Sequence, residues 1–180
     1  MKRVLLIGIL ATVFLGTTSF RPKGGDASPI KWYTLAEAQK LSETKPKKIF
    51  MDVYTSWCGW CKVMDQKTFS HPVIAAYMNK HFYPVKFDAE TRDTVYFNGQ
   101  KFINDGPPNR GAHQFASTVL QGRLSYPSFV FIDETRTNFT IMQGFQEAKN
   151  FEPYLHYYAE DKNKTTSWDD FQKTFKGEVK

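Results

Sequence analysis

Residues Lys48–Lys62 read KIFMDVYTSWCGWCK, and this segment says more about the fold than any other part of the chain. Its first part, Lys48 to Thr55, is a run of aromatic and branched apolar residues, which is typical of a strand buried in the centre of a sheet. A short turn follows, and we predict a helix that starts near Cys58. Cys58 and Cys61 then lie in the first turn of a helix that directly follows a buried strand.

Two cysteines in the first turn of a helix have a definite chemistry. Unpaired N–H groups and the helix dipole favour an anion at Cys58, and thiol pKa values in such motifs fall to roughly 3.5–7.5. Cys61 lies one turn further along the same face, and we expect it to be more buried and to remain a thiol. Cys58 attacks a substrate disulfide, and Cys61 then displaces the product from Cys58. Gly59 leaves the approach to the sulfur open.

A structural disulfide and a metal site are the alternatives for this pair. A bridge that closes so short a loop constrains the unfolded chain very little, because the stabilisation grows with loop length. A structural zinc site needs a second pair of ligands. The sequence has no third cysteine, and its four histidines lack the spacing of metal ligands. We therefore expect no metal, and no cofactor beyond a redox-active disulfide between Cys58 and Cys61.

The rest of the chain divides into further elements by its apolar pattern and its turn residues. We predict helices after Thr34, near Ser70, at His113 and near Glu147, and strands at 82–88, 128–133 and 138–142. Asn98-Gly99 lies between two short apolar runs, and this dipeptide strongly indicates a hairpin. The order predicts an α/β fold with one central mixed sheet flanked by helices. Residues from about 91 to 125 then form an insertion that contains the hairpin and a helix.

The two ends of the chain are distinguished by composition. Residues 1–19 predict a secretory signal peptide, because two basic residues precede an apolar core that is too short to span a membrane comfortably. An uncleaved membrane anchor is the alternative. Residues 20–29 are predicted to be a flexible leader, 30–160 the folded domain, and 161–180 a polar tail with a short helix near Trp168. We expect export to the bacterial periplasm and no stable membrane insertion after cleavage.

Overall composition indicates a globular protein and argues against a nucleic-acid partner. Hydrophobic residues make up 41% and aromatic residues 16% of the chain, and charges of both signs are spread throughout. The formal net charge is +6, but no run of five or more basic residues occurs. We therefore expect no nucleic-acid binding.

The segment Lys48–Lys62 resembles the active-site segment of the thioredoxin family. The match covers the apolar strand, an acid, Asp52, six residues before the first cysteine, the aromatic Trp57 directly before it, and a lysine after the second cysteine. The resemblance extends coarsely from about residue 30 to 160. It implies a thioredoxin-like fold that exchanges disulfides with protein or peptide thiols. It also implies an upstream electron donor, either a membrane disulfide carrier or another thioredoxin-like protein.

The same resemblance implies roles for residues outside the dithiol. Tyr126-Pro127 matches the cis-proline at the start of a strand, which faces the dithiol and leaves the backbone of Tyr126 free to pair with substrate. Asp52 matches the buried acid that accepts the proton of the resolving cysteine, and burial is expected to raise its pKa toward neutrality. Lys86, on the neighbouring strand, matches the partner of that acid.

Trp60 departs from the family pattern, since thioredoxins have proline there and disulfide isomerases and oxidases have histidine. The residues between the cysteines tune the stability of the thiolate, so the redox potential is left unassigned. Trp57, Gly59 and Trp60 are expected to form the surface that meets the substrate. Asp52 and Gly59 favour a reductase of protein disulfides. A disulfide oxidase or isomerase, and a non-catalytic chaperone or metal carrier of the same fold, are the alternatives.

Overall fold

The computed structural model describes residues 28–107 and 111–180. The predicted signal peptide and most of the predicted leader lie outside the described residues. The strands of the described chain are β1 (Lys48–Tyr54), β2 (Phe82–Asp88), β3 (Val95–Phe97), β4 (Gln100–Phe102), β5 (Ser128–Ile132) and β6 (Phe139–Gln143). Its α-helices are α1 (Leu35–Thr44), α2 (Gly59–Met64), α3 (Pro72–His81), α4 (Gln114–Val119), α5 (Ala148–Ala159) and α6 (Trp168–Thr174).

A four-stranded mixed sheet with the strand order β2-β1-β5-β6 is the centre of the molecule. β1 is parallel to β2 and antiparallel to β5, so the strand that precedes the cysteines is hydrogen-bonded on both sides. Six of its seven residues are buried, and Tyr54 at its end is half-buried. The predicted α/β architecture with a central mixed sheet is confirmed.

The two faces of β1 contribute to two separate apolar cores. Ile49, Met51 and Val53 belong to one core, and Phe50 belongs to the other, because successive side chains of a strand point to opposite faces. All four are fully buried, and full burial of a large apolar side chain contributes about 1.5–3 kcal/mol. The aromatic rings around Phe50 are those of Phe69, Phe82, Phe129, Phe131 and Phe151. Met64 and Phe69 also lie in this second core, so α2 and the turn after it cover the face of the sheet that Phe50 and Asp52 share.

Local sequence signals set where the helices begin. Thr34 caps α1 with a complete capping box, in which its Oγ accepts a hydrogen bond from the N–H of Glu37 (3.2 Å) and the carboxylate of Glu37 accepts one from the N–H of Thr34 (2.8 Å). The predicted helix after Thr34 is therefore confirmed. α3 starts at Pro72, a residue that suits the first position of a helix because its missing N–H has no partner to lose there.

The predicted insertion forms a hairpin that packs against the domain. β3 and β4 pair in antiparallel fashion, and both Asn98 and Gly99 in the turn have positive φ, as a two-residue hairpin turn of this kind requires. Gln39 of α1 accepts a hydrogen bond from the N–H of Asn98 (3.1 Å), and Asn98 Nδ2 donates one to the carbonyl of Arg136 (2.8 Å). The hairpin is thus tied to α1 and to the turn between β5 and β6.

The segment after residue 160 packs on α5. Trp168 stacks on Tyr154 of α5 with a centroid distance of 4.0 Å, and Phe171 is buried. Glu152, which is 2% exposed, accepts hydrogen bonds from the N–H groups of Glu178 (2.7 Å) and Val179 (3.1 Å). The part that sequence analysis set apart as a tail is therefore held by a buried carboxylate whose partners lie 26 and 27 residues away. The polar composition of the segment conceals these contacts.

Among residues 28–107 and 111–180, no helix combines the length and the apolar character that crossing a bilayer requires.

Replacing Glu152 tests the attachment of the C-terminal segment. We expect Glu152→Ala to destabilise the protein by about 1–3 kcal/mol, because it leaves the buried N–H of Val179 and the partly buried N–H of Glu178 without an acceptor. Thermal denaturation measures the loss, and limited proteolysis should show earlier cleavage after α5. Glu43→Ala, at an exposed position of α1, is the control and should leave both readouts unchanged. Equal stability of Glu152→Ala and the wild type would contradict the assigned role.

Candidate active site

The two cysteines lie where β1 gives way to α2. Cys58 is the N-cap of α2, its N–H donates to the carbonyl of Thr55 (3.1 Å), and its sulfur accepts a hydrogen bond from the N–H of Cys61 (3.0 Å). A disulfide joins Cys58 and Cys61, so the structure represents the oxidised form. This N–H group and the helix N-terminus are the features that favour a thiolate in motifs of this kind. The expected position of the pair in the first turn of a helix is confirmed.

The burial of the two cysteines differs from the expectation. Cys58 is 4% exposed and Cys61 is 3% exposed, so the inner residue is not measurably deeper than the outer one in the oxidised form. The sulfur–sulfur bond itself covers part of each residue, which explains the similar values. The approach to the disulfide is open at Gly59, where an added Cβ atom would contact no neighbouring group within 4 Å.

Aromatic side chains surround the disulfide on the exposed surface. Trp57 and Trp60 are 66% and 62% exposed, which places large apolar surface directly beside both cysteines. The ring of Trp57 packs edge-on against Tyr126 at 5.9 Å, and the ring of Trp60 packs against Phe145 at 5.4 Å. We call these four residues the aromatic rim.

The loop before β5 supplies the other side of the site. The peptide bond between Tyr126 and Pro127 is cis, and the carbonyl of Pro127 accepts a hydrogen bond from the N–H of Gly144 (2.9 Å). Within the described residues, no hydrogen bond engages the backbone N–H or carbonyl of Tyr126. The backbone of Tyr126 is therefore not engaged by the described part of the protein, and its pairing with a substrate stays a prediction.

Asp52 is a carboxylate buried in the central strand. It is 1% exposed, and it lies opposite Lys86 in the register of β1 and β2. Lys86 Nζ approaches Asp52 Oδ2 at 3.2 Å, while Asp52 Oδ1 has no hydrogen-bond partner among the described residues. Burial raises the pKa of Asp52 to about 6, although Lys86 opposes the shift. Asp52 can therefore hold or release a proton near neutral pH.

A second carboxylate, Asp65, shares the ammonium group of Lys86. Asp65 begins a π-helical turn, Asp65–Phe69, that continues α2, and its side chain contacts Lys86 at 2.5 Å. Its backbone N–H donates to the carbonyl of Cys61. Burial disfavours the charged form of Lys86, but Asp52 and Asp65 outweigh burial and raise its pKa. The pair predicted from sequence is thus part of a cluster of three charged groups.

Aromatic rings complete the surroundings of Lys86. Its Nζ lies 4.9 Å from the ring centre of Tyr54, 5.3 Å from that of Trp32 and 5.9 Å from that of Phe69. Such rings attract a cation through the negative charge of their faces. The rings and the two carboxylates together keep Lys86 charged in a largely covered position.

Three residues of this site were not predicted from the sequence. Asp65 could have been found, because it lies four positions after Cys61 and therefore on the same face of the helix. Glu90, which accepts a hydrogen bond from Trp57 Nε1 (3.1 Å), and Phe145 of the rim had no local signal. Each is brought to the site by a loop that is distant in sequence. A group of three or more side chains able to bind a metal ion does not occur in residues 28–107 and 111–180.

Comparison with known proteins finds a matching family and several partial relatives. The model of the Thioredox_DsbH family, described as "Protein of unknown function, DUF255", matches residues 22–153. Spermatogenesis-associated protein 20 of Homo sapiens is 33% identical over 83 residues, which cover 44% of this chain and 11% of that protein. The chain spans about a tenth of the length of the animal relatives that it matches.

Solved structures share the fold. A structure titled "DsbH Oxidoreductase" is similar with a TM-score of 0.54 and 19% identity, over 81% of this chain and 94% of that one. A thioredoxin from Thermus thermophilus has a TM-score of 0.53 and 16% identity, over 72% and 86% of the two chains. The fold is therefore thioredoxin-like.

Replacing Asp52 tests whether burial raises the pKa of its carboxyl group. Because the folded pKa of about 6 lies above the ordinary aspartate value of 3.8, the folded protein binds this proton more tightly than the unfolded chain does. The stability that Asp52 contributes is present at low pH and is lost as the pH rises through about 6. We therefore expect Asp52→Asn to be more stable than the wild type at pH 7.5, by roughly 3 kcal/mol, since the shift is about two pKa units and each unit corresponds to about 1.4 kcal/mol. The difference should vanish near pH 4.

Denaturant unfolding at several pH values measures this effect. Asp65→Asn is the matched control, because it removes the neighbouring acid and leaves Asp52 as the one carboxylate of this cluster that pairs with Lys86. In that variant the pH-dependent loss of stability should persist and shift to lower pH, since Asp65 contributes to raising the pKa of Asp52. A constant difference between Asp52→Asn and the wild type from pH 4 to 7.5 would contradict a raised pKa.

Proposed function

The chain belongs to the Thioredox_DsbH family, and on that basis we propose that it is an exported thiol–disulfide oxidoreductase that reduces protein disulfides. The single observation that carries the proposal is the disulfide between Cys58 and Cys61 at the start of α2, with the N–H of Cys61 directed at the sulfur of Cys58. A disulfide between residues only three positions apart contributes little to stability. Disulfide exchange therefore explains this bridge better than stabilisation of the fold does.

The reaction passes through one mixed disulfide. The Cys58 thiolate attacks one sulfur of the substrate disulfide, a Cys58–substrate disulfide forms, and the other substrate sulfur leaves as a thiolate. Cys61 then loses its proton and attacks Cys58, which releases the second substrate thiolate. The substrate gains two electrons, and the protein ends in the oxidised form that the structure represents.

Asp52 is the proposed acceptor of the Cys61 proton. It lies on the face of β1 that α2 covers, and its raised pKa of about 6 suits a group that takes up and releases a proton near pH 7. Lys86 and Asp65 act as positioning residues, because the ammonium group joins the strand that carries Asp52 to the turn that follows Cys61.

The surface around the disulfide supports a polypeptide substrate. The aromatic rim offers apolar area beside Cys58, and the free backbone of Tyr126 can pair with an extended chain. An electron donor must return the protein to its dithiol form, and we propose a membrane disulfide carrier or another thioredoxin-like protein for this role. Export to the periplasm is proposed from the basic and apolar character of residues 1–19.

Trapping of substrates tests the two roles of the cysteines. In Cys61→Ala the mixed disulfide cannot be resolved, so we expect substrate proteins to accumulate on Cys58 and to appear on non-reducing gels. Cys58→Ala should trap none. Both variants should reduce insulin disulfides no faster than the uncatalysed reaction does.

The same pair of variants separates an enzyme from a binding protein. A chaperone or metal carrier of this fold would form no mixed disulfide in Cys61→Ala, and its binding would survive the loss of either thiol. That pattern would contradict the proposal.

The reduction potential of the pair tests the direction of electron flow. We expect a value nearer to about −270 mV, typical of thioredoxin, than to about −120 mV, typical of the oxidant DsbA. Equilibration with glutathione buffers, followed by Trp57 and Trp60 fluorescence, measures it. A value at the oxidising end would contradict the reductase and favour an oxidase.

A further inference from the structure

A groove lies between α1 and the β3–β4 hairpin, beside the active site. Its volume is about 730 Å³, which is in the range of ligand-binding clefts. One wall is formed by one side of α1, including Gln39, and the other by the insertion, including Asp93 and Tyr96. Its floor is formed by the ends of β1 and β2, at Tyr54 and Asp88. Because the insertion supplies one whole wall, a thioredoxin-like domain without it would lack this groove.

The groove is acidic, in contrast to a chain whose net charge is +6. Three carboxylates line it, from Glu43, Asp88 and Asp93, and none of them forms an ion pair within the described residues. The lining cations are Lys40 and Lys86, and the ammonium group of Lys86 is already bound by two carboxylates outside the groove.

The arginine next to Asp93 does not compensate this charge. Arg92 directs its guanidinium group to the backbone carbonyls of Asn104, Gly106 and Pro107, at 2.6–3.0 Å. At the floor of the groove, burial and then the neighbouring Asp88 raise the pKa of Tyr54, although Lys86 opposes the shift. The groove therefore presents acceptors for a positively charged group.

One short segment connects the groove to the disulfide. Asp88 and Thr91 line the groove, and Glu90 between them accepts the hydrogen bond of Trp57 Nε1 (3.1 Å). Asp88 in turn accepts a hydrogen bond from the N–H of Glu90 (2.9 Å). Because Trp57 directly precedes Cys58, a polypeptide whose disulfide lies at Cys58 can extend past Trp57 into the groove.

We propose that this groove binds a lysine- or arginine-bearing segment of the substrate polypeptide, close to the disulfide that Cys58 attacks. The inference rests on the proposed function and specifies its substrate class. Carboxylates accept the N–H groups of both side chains, and the rings of Tyr54 and Tyr96 can pack against their aliphatic parts and attract the cation. The substrate would thus be recognised at two places, by its disulfide and by a basic flank.

Peptides with matched sequences test the inference. We compare three peptides that each contain one intramolecular disulfide and differ only at the flanking positions, which are lysine, glutamine or glutamate. Each peptide is mixed with the reduced protein, from which all other reductant has been removed. The oxidation of the protein is followed by tryptophan fluorescence, which gives the second-order rate constant. We expect the order lysine, glutamine, glutamate, and a preference that weakens at 0.5 M NaCl because surface charges are screened.

Variants identify the groove as the source of the preference. Asp93→Asn combined with Glu43→Gln should slow the lysine peptide by about two- to fivefold for each carboxylate removed, and should leave the glutamine peptide unchanged. Asp169→Asn combined with Glu178→Gln is the matched control, since it makes the same change in net charge at exposed positions of the C-terminal segment. This control should keep the full preference for lysine.

A small uncharged disulfide, bis(2-hydroxyethyl) disulfide, separates the failure of this inference from that of the proposed function. It should react equally with the wild type and both double variants. If it reacts but the three peptides do so at equal rates, or if the groove and control variants behave alike, the groove assignment is overturned. If neither this disulfide nor any peptide is reduced, the proposed function fails and the groove assignment fails with it.

Discussion

A carboxylate buried in the central strand is the constraint around which the active site is arranged. Asp52 lies between the apolar residues Met51 and Val53 of β1, and a buried charge is costly unless it is compensated. Lys86 compensates it only in part, because Asp65 competes for the same ammonium group and Asp52 Oδ1 remains without a partner among the described residues. The incomplete compensation leaves Asp52 with a pKa near neutrality, which a fully paired carboxylate would not have.

The surroundings of the disulfide combine two kinds of surface. The aromatic rim adds apolar area close to Cys58, whereas the groove beside the hairpin is lined by carboxylates. Both depend on the segment from Asp88 to Thr91, because Glu90 holds Trp57 on one side while its neighbours line the groove on the other. The insertion therefore adds to the surface next to the disulfide, while its strands β3 and β4 form a sheet separate from the central one.

Most of the secondary structure could be predicted, because its signals are local. The apolar run before Cys58, the capping residue Thr34 and the dipeptide Asn98-Gly99 each act within a few residues of their own position, and the structure has a central strand, a helix and a hairpin at these places. The pairing of Asp52 with Lys86 followed from a resemblance to a known family, and the two strands bring the residues into register.

Contacts between residues that are distant along the chain could not be predicted in this way. Nothing near Glu152 indicates that it holds the backbone at Val179, and no pattern around Glu90 or Phe145 assigns them to the two tryptophans. The amino-acid sequence alone was enough to place a reactive dithiol at the start of a helix, because strand, turn and helix N-terminus follow one another directly. The charge shared around Lys86 and the acidic groove required the folded chain, because both are made by side chains from separate elements that only packing brings within a few ångströms of one another.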